Sequence, residues 1–206
     1  MQLTDLRKVI DAHSGTFHCV QIRNKSATKE VKFIHIHDDP SETQWNLPIP
    51  TLQDFYETFD NVVLYQDTMS EDAAFYIASP DKWNSLENDF RPWLDCVGVD
   101  EEEELLPNWI NDCIVIGEIP KSGNYLLMPR TGEKSGFVFK FEHDGFEFVE
   151  LAPNLEAFVL KALKPNETFL TEMASHMRFV ENEDYSTQWW IAEMRDNQGN
   201  VVNTGG

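Results

Sequence analysis

The residues best suited to metal chemistry lie in the segment His35-Ile36-His37-Asp38-Asp39. Alternate histidines on a β-strand point to the same face, and the two carboxylates that follow are also metal ligands. A binuclear metal-dependent hydrolase would show His-x-His-x-Asp-His, whereas Pro40 follows the second aspartate here. The sequence therefore predicts no metal and no cofactor, and the favoured interpretation is a strand end with exposed histidines. A metal-dependent hydrolase that uses His35 and His37 stays open as an alternative function.

The adjacent pair His18-Cys19 is a second candidate for chemistry. Successive residues of a strand point to opposite faces, so the imidazole cannot activate the thiol, and a buried cysteine beside an exposed histidine is the simpler interpretation. The sequence has no Gly-x-Ser-x-Gly elbow and no phosphate-binding glycine loop. Carboxylates are so numerous that no pair of them marks an acid–base dyad. We therefore predict a protein that is not an enzyme and has no catalytic residues.

The charge of the chain is its most unusual bulk property, since 36 Asp and Glu against 16 Lys and Arg give a formal net charge of −20. Such a field repels nucleic acids and anionic membranes and accelerates encounters with basic proteins. The few Lys and Arg residues form no basic stripe of the kind that binds nucleic acid. We predict a basic protein as the partner. An equally simple interpretation is that the charge only keeps the protein soluble.

An acidic run beside a tryptophan is the predicted partner-binding site. Trp109 would serve as an aromatic anchor for a basic partner, within a negatively charged surface. The predicted residues are Asp100, Glu101, Glu102, Glu103, Glu104, Trp109, Asp112 and Glu118. A solvated acidic loop next to a core tryptophan explains the same pattern.

The elements that must position these residues follow from apolar periodicity and turn residues. The first half is predicted to contain a helix that ends before Ser14-Gly15, a hairpin and a helix with its N-cap at Thr51. The predicted strands are 16–23, 31–37, 62–66, 73–78, 113–117, 124–128, 136–141, 146–150, 186–195 and a short last strand. The predicted later helices begin after Ser79-Pro80 and end near Pro92, begin after an N-cap at Asn154, and span 167–177. The strands between 113 and 150 are expected to form an antiparallel meander.

The cysteines and the hydropathy of the chain indicate its compartment. Cys19, Cys96 and Cys113 are odd in number, and no two form a Cys-x-x-Cys pair. No apolar run reaches the length of about 18 residues that a membrane span needs, and the first fifteen residues carry two acids. We expect a cytoplasmic protein with reduced thiols.

Five short motifs follow one another in a recognisable order in the second half of the chain. They are Ile116-Gly117-Glu118, Asn124-Tyr125-Leu126-Leu127, Gly136-Phe137-Val138-Phe139, His143-Asp144-Gly145 and Leu155-Glu156-Ala157-Phe158-Val159. This order resembles the SUKH superfamily (SMI/KNR-like), over roughly residues 47–163 with the helix at 51–60 as its opening helix. The chain departs from the family in two places. It has Asp60-Asn61-Val62 where Asn-Gly often follows the first helix, and Pro153-Asn154 where Ser-Phe usually opens the last helix.

The resemblance implies an α+β fold with a mostly antiparallel sheet flanked by helices. It implies a core at residues 41–165, with a helix and hairpin extension at 1–40 and a C-terminal helix and strand extension at 166–206 packed on the same domain. Bacterial members of the superfamily include many immunity proteins that neutralise toxins, often basic nucleases, so we expect a bacterial immunity protein that binds its cognate toxin. A regulatory or scaffold protein, as among the fungal cell-wall regulators, is the alternative.

Overall fold

One antiparallel sheet of ten strands organises the fold, in a computed structural model that describes residues 3–70, 72–98, 105–164, 166–176 and 189–204. The strands are β1 (Gly15–Gln21), β2 (Thr28–His37), β3 (Val62–Asp67), β4 (Phe75–Ile77), β5 (Cys113–Ile119), β6 (Asn124–Pro129), β7 (Val138–Glu142), β8 (Glu147–Ala152), β9 (Trp189–Asp196) and β10 (Val201–Thr204). Their order across the sheet is β10-β9-β1-β2-β3-β4-β5-β6-β7-β8. The predicted meander of β5 to β8 is confirmed.

Within the described ranges, five α-helices flank the sheet, which confirms the predicted α+β class. They are α1 (Leu3–Ala12), α2 (Pro50–Tyr56), α3 (Trp83–Leu94), α4 (Leu155–Leu163) and α5 (Glu167–His176). Apolar side chains of α1, α2, α4 and α5 pack against one face of the sheet in the larger of two cores. No helix in the described ranges combines the length and the apolar character that are needed to cross a membrane.

The opposite face of the sheet is covered unevenly. Helix α3 packs its Leu86 and Phe90 against side chains of β5, β6 and β7, such as Tyr125 and Phe141, in the second core. On β2, by contrast, Ile34 and Ile36 point to this same face and are 40% and 37% exposed. We call the part of this face formed by β1 to β4 and β9 the open face.

Local sequence features predict some helix ends correctly and others wrongly. Asn154 caps α4 as predicted, because its side-chain oxygen accepts a hydrogen bond from the amide of Ala157 at 2.8 Å. The predicted N-cap at Thr51 is wrong: Ile49 occupies that position and Pro50 is the first helical residue. Proline has a fixed φ and needs no amide partner there, so the helix begins one residue earlier than the hydroxyl suggested. Helix α3 runs past Pro92 to Leu94.

Strands from the N-terminal and the C-terminal segments pair with each other in the sheet. Strand β1 pairs with β2 on one side and with β9 on the other, so that Gly15 lies opposite Asp196. Strand β2 in turn pairs with β3, which joins residues 1–40 to the strands of the 41–165 segment. One continuous sheet therefore crosses all three predicted segments.

Candidate functional site

His35 and His37 lie on the helix side of β2, beneath α1. His35 Nε2 lies 2.8 Å from His13 Nδ1, and His35 Nδ1 accepts a hydrogen bond from the amide of Tyr65 at 3.0 Å. The side chain of His37 is 14% exposed, and its Nε2 lies 2.7 Å from a carboxylate oxygen of Asp11. The expectation of exposed histidines at a strand end is therefore wrong, because α1 packs over this part of the strand.

The four groups of the predicted metal candidate have separate partners. Both ring nitrogens of His35 take part in hydrogen bonds, so neither has a free lone pair for a metal. Asp38 accepts from the side-chain amide of Asn61 at 2.6 Å, and Asp39 pairs with Arg7 at 2.8 Å. In the ranges that the structure describes, no group of three or more His, Cys, Asp or Glu is arranged to hold a metal ion.

Cys19 and His18 lie on opposite faces of β1, as predicted. Cys19 is fully buried, and burial raises the pKa of its thiol to about 12, so it is protonated at neutral pH. His18 points to the open face, where its Nδ1 lies 2.6 Å from a carboxylate oxygen of Glu30. The geometry gives the thiol no base.

The described members of the predicted partner-binding set do not form one surface. Asp100, Glu101, Glu102, Glu103 and Glu104 lie outside the described residues. Trp109 packs against Phe139 and Phe148 in the second core, with ring centroids 4.5 and 5.9 Å away. Asp112 and Glu118 lie at opposite ends of β5, roughly 20 Å apart at about 3.3 Å per residue. Glu118 alone among the described members lies on the edge of the open face.

The register of the sheet aligns Glu118 with an aromatic and aliphatic row on that face. Ile36 lies opposite Val63, Val63 opposite Tyr76, and Tyr76 opposite Glu118. Directly paired residues of antiparallel strands share a face, so the four side chains run across β2, β3, β4 and β5. Tyr76 is half-buried and packs against the second core, which α3 covers.

The charges of four carboxylates act on the Tyr76 hydroxyl. Burial raises the pKa of Tyr76 first, and the charges of Asp81, Glu118, Asp60 and Asp38 raise it further. We define the Tyr76 patch as Tyr76, these four carboxylates and Ile36 of the same row: Ile36, Asp38, Asp60, Tyr76, Asp81 and Glu118. Lys82 lies beside the patch, with its Nζ 3.5 Å from a carboxylate oxygen of Asp81.

The fold disfavours the charged form of two of these carboxylates, Glu118 and Asp60. Burial raises the pKa of Glu118, and the charge of Asp89 adds to the shift. Burial also raises the pKa of Asp60, with further contributions from Asp81 and Asp38. Glu118 makes no ion pair within the described part of the chain. Carboxylates whose charged form is disfavoured by the fold are more common at functional surfaces than elsewhere.

Backbone and hydroxyl contacts hold the patch in place. The amide of Asp60 donates to the carbonyl of Asp38 at 3.1 Å, which brings the loop after α2 to the end of β2. The hydroxyl of Ser79 donates to Asp81, and this bond is the main reason that the pKa of Asp81 is lowered. Nearby, the hydroxyl of Tyr56 donates to the carbonyl of Ala78 at 2.6 Å. These contacts fix the carboxylate of Asp81 and the backbone that carries Asp38 and Asp60.

A patch of this kind suits a guanidinium or ammonium group. An arginine from a partner can stack on the face of Tyr76 while its N–H groups donate to the surrounding carboxylates. Sequence reasoning found only Glu118 as a member, and it assigned Asp38 to a metal candidate. Nothing in the local sequence marks Tyr76, Asp60 or Asp81, because strand register and loop contacts bring them together.

Comparisons of the chain with protein-family models, with curated proteins and with solved structures found no match.

Proposed function

We propose that the protein is a non-enzymatic cytoplasmic binding protein that neutralises a basic toxin, and that the Tyr76 patch is its docking site. The observation that carries the proposal is the half-buried Glu118 beside Tyr76, a carboxylate with a raised pKa and no cationic partner in the described ranges. A cation from a partner would remove this electrostatic cost on binding. The order of motifs that resembles the SUKH superfamily supports the same class of function.

The charge and shape of the open face favour a basic protein over other ligands. The net charge of −20 repels nucleic acid and accelerates the approach of a cationic surface. Ile34 and Ile36, with 40% and 37% exposure, add apolar area next to the carboxylates. An apolar centre with a charged rim is the usual composition of a protein–protein interface. If the toxin is a nuclease, the carboxylates would occupy the groove that binds phosphate.

The proposal is tested by recovering the partner from the native cells. Tagged protein is used as bait at about 0.05 M and about 0.5 M salt, and retained proteins are identified by mass spectrometry. We expect one basic protein that is retained at the lower salt and reduced at the higher salt. The purified partner should also lose its toxic activity when the protein is added. No retained basic protein, or a partner whose activity is unchanged, would contradict the proposal.

Glu118→Gln is expected to weaken partner binding about tenfold and to stabilise the isolated protein slightly. The binding loss follows because the partner's cation loses one charged acceptor. The raised pKa of Glu118 means that the folded state disfavours its charged form at neutral pH, so the neutral amide should raise the free energy of unfolding by up to about 0.5 kcal/mol. Titration calorimetry and urea unfolding measure the two effects.

Glu133→Gln is the matched control, since it makes the same change of charge in the exposed β6–β7 turn, which follows the end of β6 opposite to the one that pairs with Glu118. We expect it to change the affinity by less than about twofold. Equal losses of affinity for the two variants would show that net charge, and not the Tyr76 patch, binds the partner.

A further inference from the structure

A second feature, on the helix side of the sheet, is an open cavity of about 340 Å³ between the ends of α1 and α4 and the β9–β10 hairpin. Small-molecule sites range from about 300 to 1,000 Å³, so the volume suits a small ligand. Its walls include the apolar side chains of Phe33, Leu163, Met194 and Val202. Its polar lining includes His13 and Lys164.

A chain of hydrogen bonds determines which proton His13 presents to the cavity. The amide of Tyr65 can only donate, so His35 Nδ1 accepts and carries no proton. Neutral His35 therefore carries its proton on Nε2 and donates it to His13 Nδ1, 2.8 Å away. Burial lowers the pKa of both histidines, which keeps both neutral at pH 7. His13 must then carry its own proton on Nε2.

The Nε2–H group of His13 has no acceptor among the described residues. His13 lines the cavity while His35 does not, and its Nδ1 is engaged with His35, which leaves Nε2 as the ring nitrogen available to a ligand. The buried chain Tyr65–His35–His13 thus ends in a hydrogen-bond donor of fixed tautomer. A donor held in this way prefers a ligand with an acceptor at that point.

Lys164 supplies a positive charge to the same cavity. It lies just after α4, its side chain makes no ion pair within the described ranges, and its charge contributes to the lowered pKa of His13. The other charged groups of the lining are already engaged. Arg195 pairs with Glu193 at 2.7 Å, and Asp196 accepts from the amide of Asn200 at 2.8 Å. In the described part of the lining, His13 and Lys164 are therefore donors open to a ligand, one of them charged, beside the neutral donors of Ser14 and Asn197, and the carboxylate of Asp196 is already hydrogen-bonded.

We propose that this cavity binds a small monocarboxylate with an apolar body, whose carboxylate accepts hydrogen bonds from His13 Nε2 and Lys164 Nζ. The apolar walls receive the rest of the ligand. A single negative charge matches the one lysine in the described part of the lining, and the net charge of −20 opposes ligands with several negative charges, such as phosphates. The site is separate from the Tyr76 patch, which lies on the other face of the sheet.

Phenylacetate is a suitable probe, and phenylacetamide is its uncharged counterpart of nearly equal shape. Titrations followed by amide chemical shifts of the ¹⁵N-labelled full chain measure both affinities. We expect phenylacetate to bind with a Kd of about 1 mM or below, and the amide to bind at least about tenfold more weakly. The largest shifts should come from residues that line the cavity, such as Leu163 and Val202.

Lys164→Gln is expected to weaken phenylacetate binding about tenfold, since it removes the charged donor from an exposed position without affecting the core. Lys25→Gln is the matched control: it removes the same charge from an exposed loop and should leave the Kd within about twofold. Both variants should unfold at the midpoint of the wild type. The proposal is overturned if phenylacetate causes no shifts at about 10 mM, if the amide binds equally well, or if Lys164→Gln binds as the wild type does.

Discussion

Replacing Gly117 with alanine is expected to lower the free energy of unfolding by about 3 kcal/mol. Gly117 lies in β5 opposite Ile77 of β4, and a Cβ atom added to it would lie 2.1 Å from the carbonyl oxygen of Tyr76. The neighbour is backbone, which cannot rotate away as a flexible side chain can, so the two strands would have to separate. Guanidinium unfolding followed by circular dichroism would show the loss as a lower midpoint.

Gly145→Ala is the control for this variant. A Cβ atom at Gly145 would meet only the side chain of Glu147, at 3.4 Å, so the change in the free energy of unfolding should stay within about 0.5 kcal/mol. Gly117→Ala should also weaken partner binding, because Tyr76 and Glu118 face each other across the strands that the alanine pushes apart. Equal midpoints for the two alanine variants would contradict the close approach of β4 and β5.

Replacing His35 with leucine is expected to cost about 3 kcal/mol of stability at neutral pH. Leucine fills a similar space but removes the acceptor of the Tyr65 amide and the bond to His13. Tyr65 is fully buried and has a φ of 57°, a left-handed conformation that is rare outside glycine and that this hydrogen bond helps to hold. His35→Asn keeps an acceptor near the position of Nδ1, so its loss in chemical denaturation should be clearly smaller.

The same residue should make the wild type sensitive to acid. Burial and then the charge of His13 lower the pKa of His35 from 6.5 to about 3. Below pH 6.5 the unfolded chain binds a proton here, and the folded chain does not until the pH nears 3. The stabilisation is therefore complete above pH 6.5 and is lost as the pH falls, by at most about 1.4 kcal/mol per pH unit. Urea unfolding between about pH 7.5 and pH 4.5 should give a shallower slope for His35→Asn than for the wild type. Parallel slopes would refute the lowered pKa.

Elements whose chemistry is local could be predicted from the sequence. The cap at Asn154 needs only a side-chain oxygen three residues before an amide, and the meander from β5 to β8 needs only alternating residues between turns. Thr51 shows the limit of such reasoning, because Pro50 next to it satisfies the helix start in a different way. His35 shows another: its burial comes from α1, whose packing over β2 no motif in the sequence indicates.

The Tyr76 patch could not be predicted because it depends on register across four strands. The pairing shifts between Ile34 and Ile36 on one side of the row and between Val115 and Gly117 on the other. A shift of one residue moves a side chain to the opposite face of a sheet, so the sequence alone does not say whether Tyr76 points to α3 or to the other core. Glu118 could be predicted because its charge lies beside a strongly apolar strand. No comparable pattern marks Tyr76, Asp60 or Asp81.

The pairing of β1 with β9 also determines how the chain can fold. The register joins Gly15 to Asp196, and both β1 and β9 are interior strands of the sheet. During synthesis one edge of the N-terminal hairpin must therefore stay unpaired until β9 has left the ribosome, and closing so long a loop is slow. In pulse-labelled hydrogen exchange during refolding, the amides of β1 that face β9 should gain protection later than those of β6 and β7. Until then the hairpin presents an open edge of the kind that promotes aggregation.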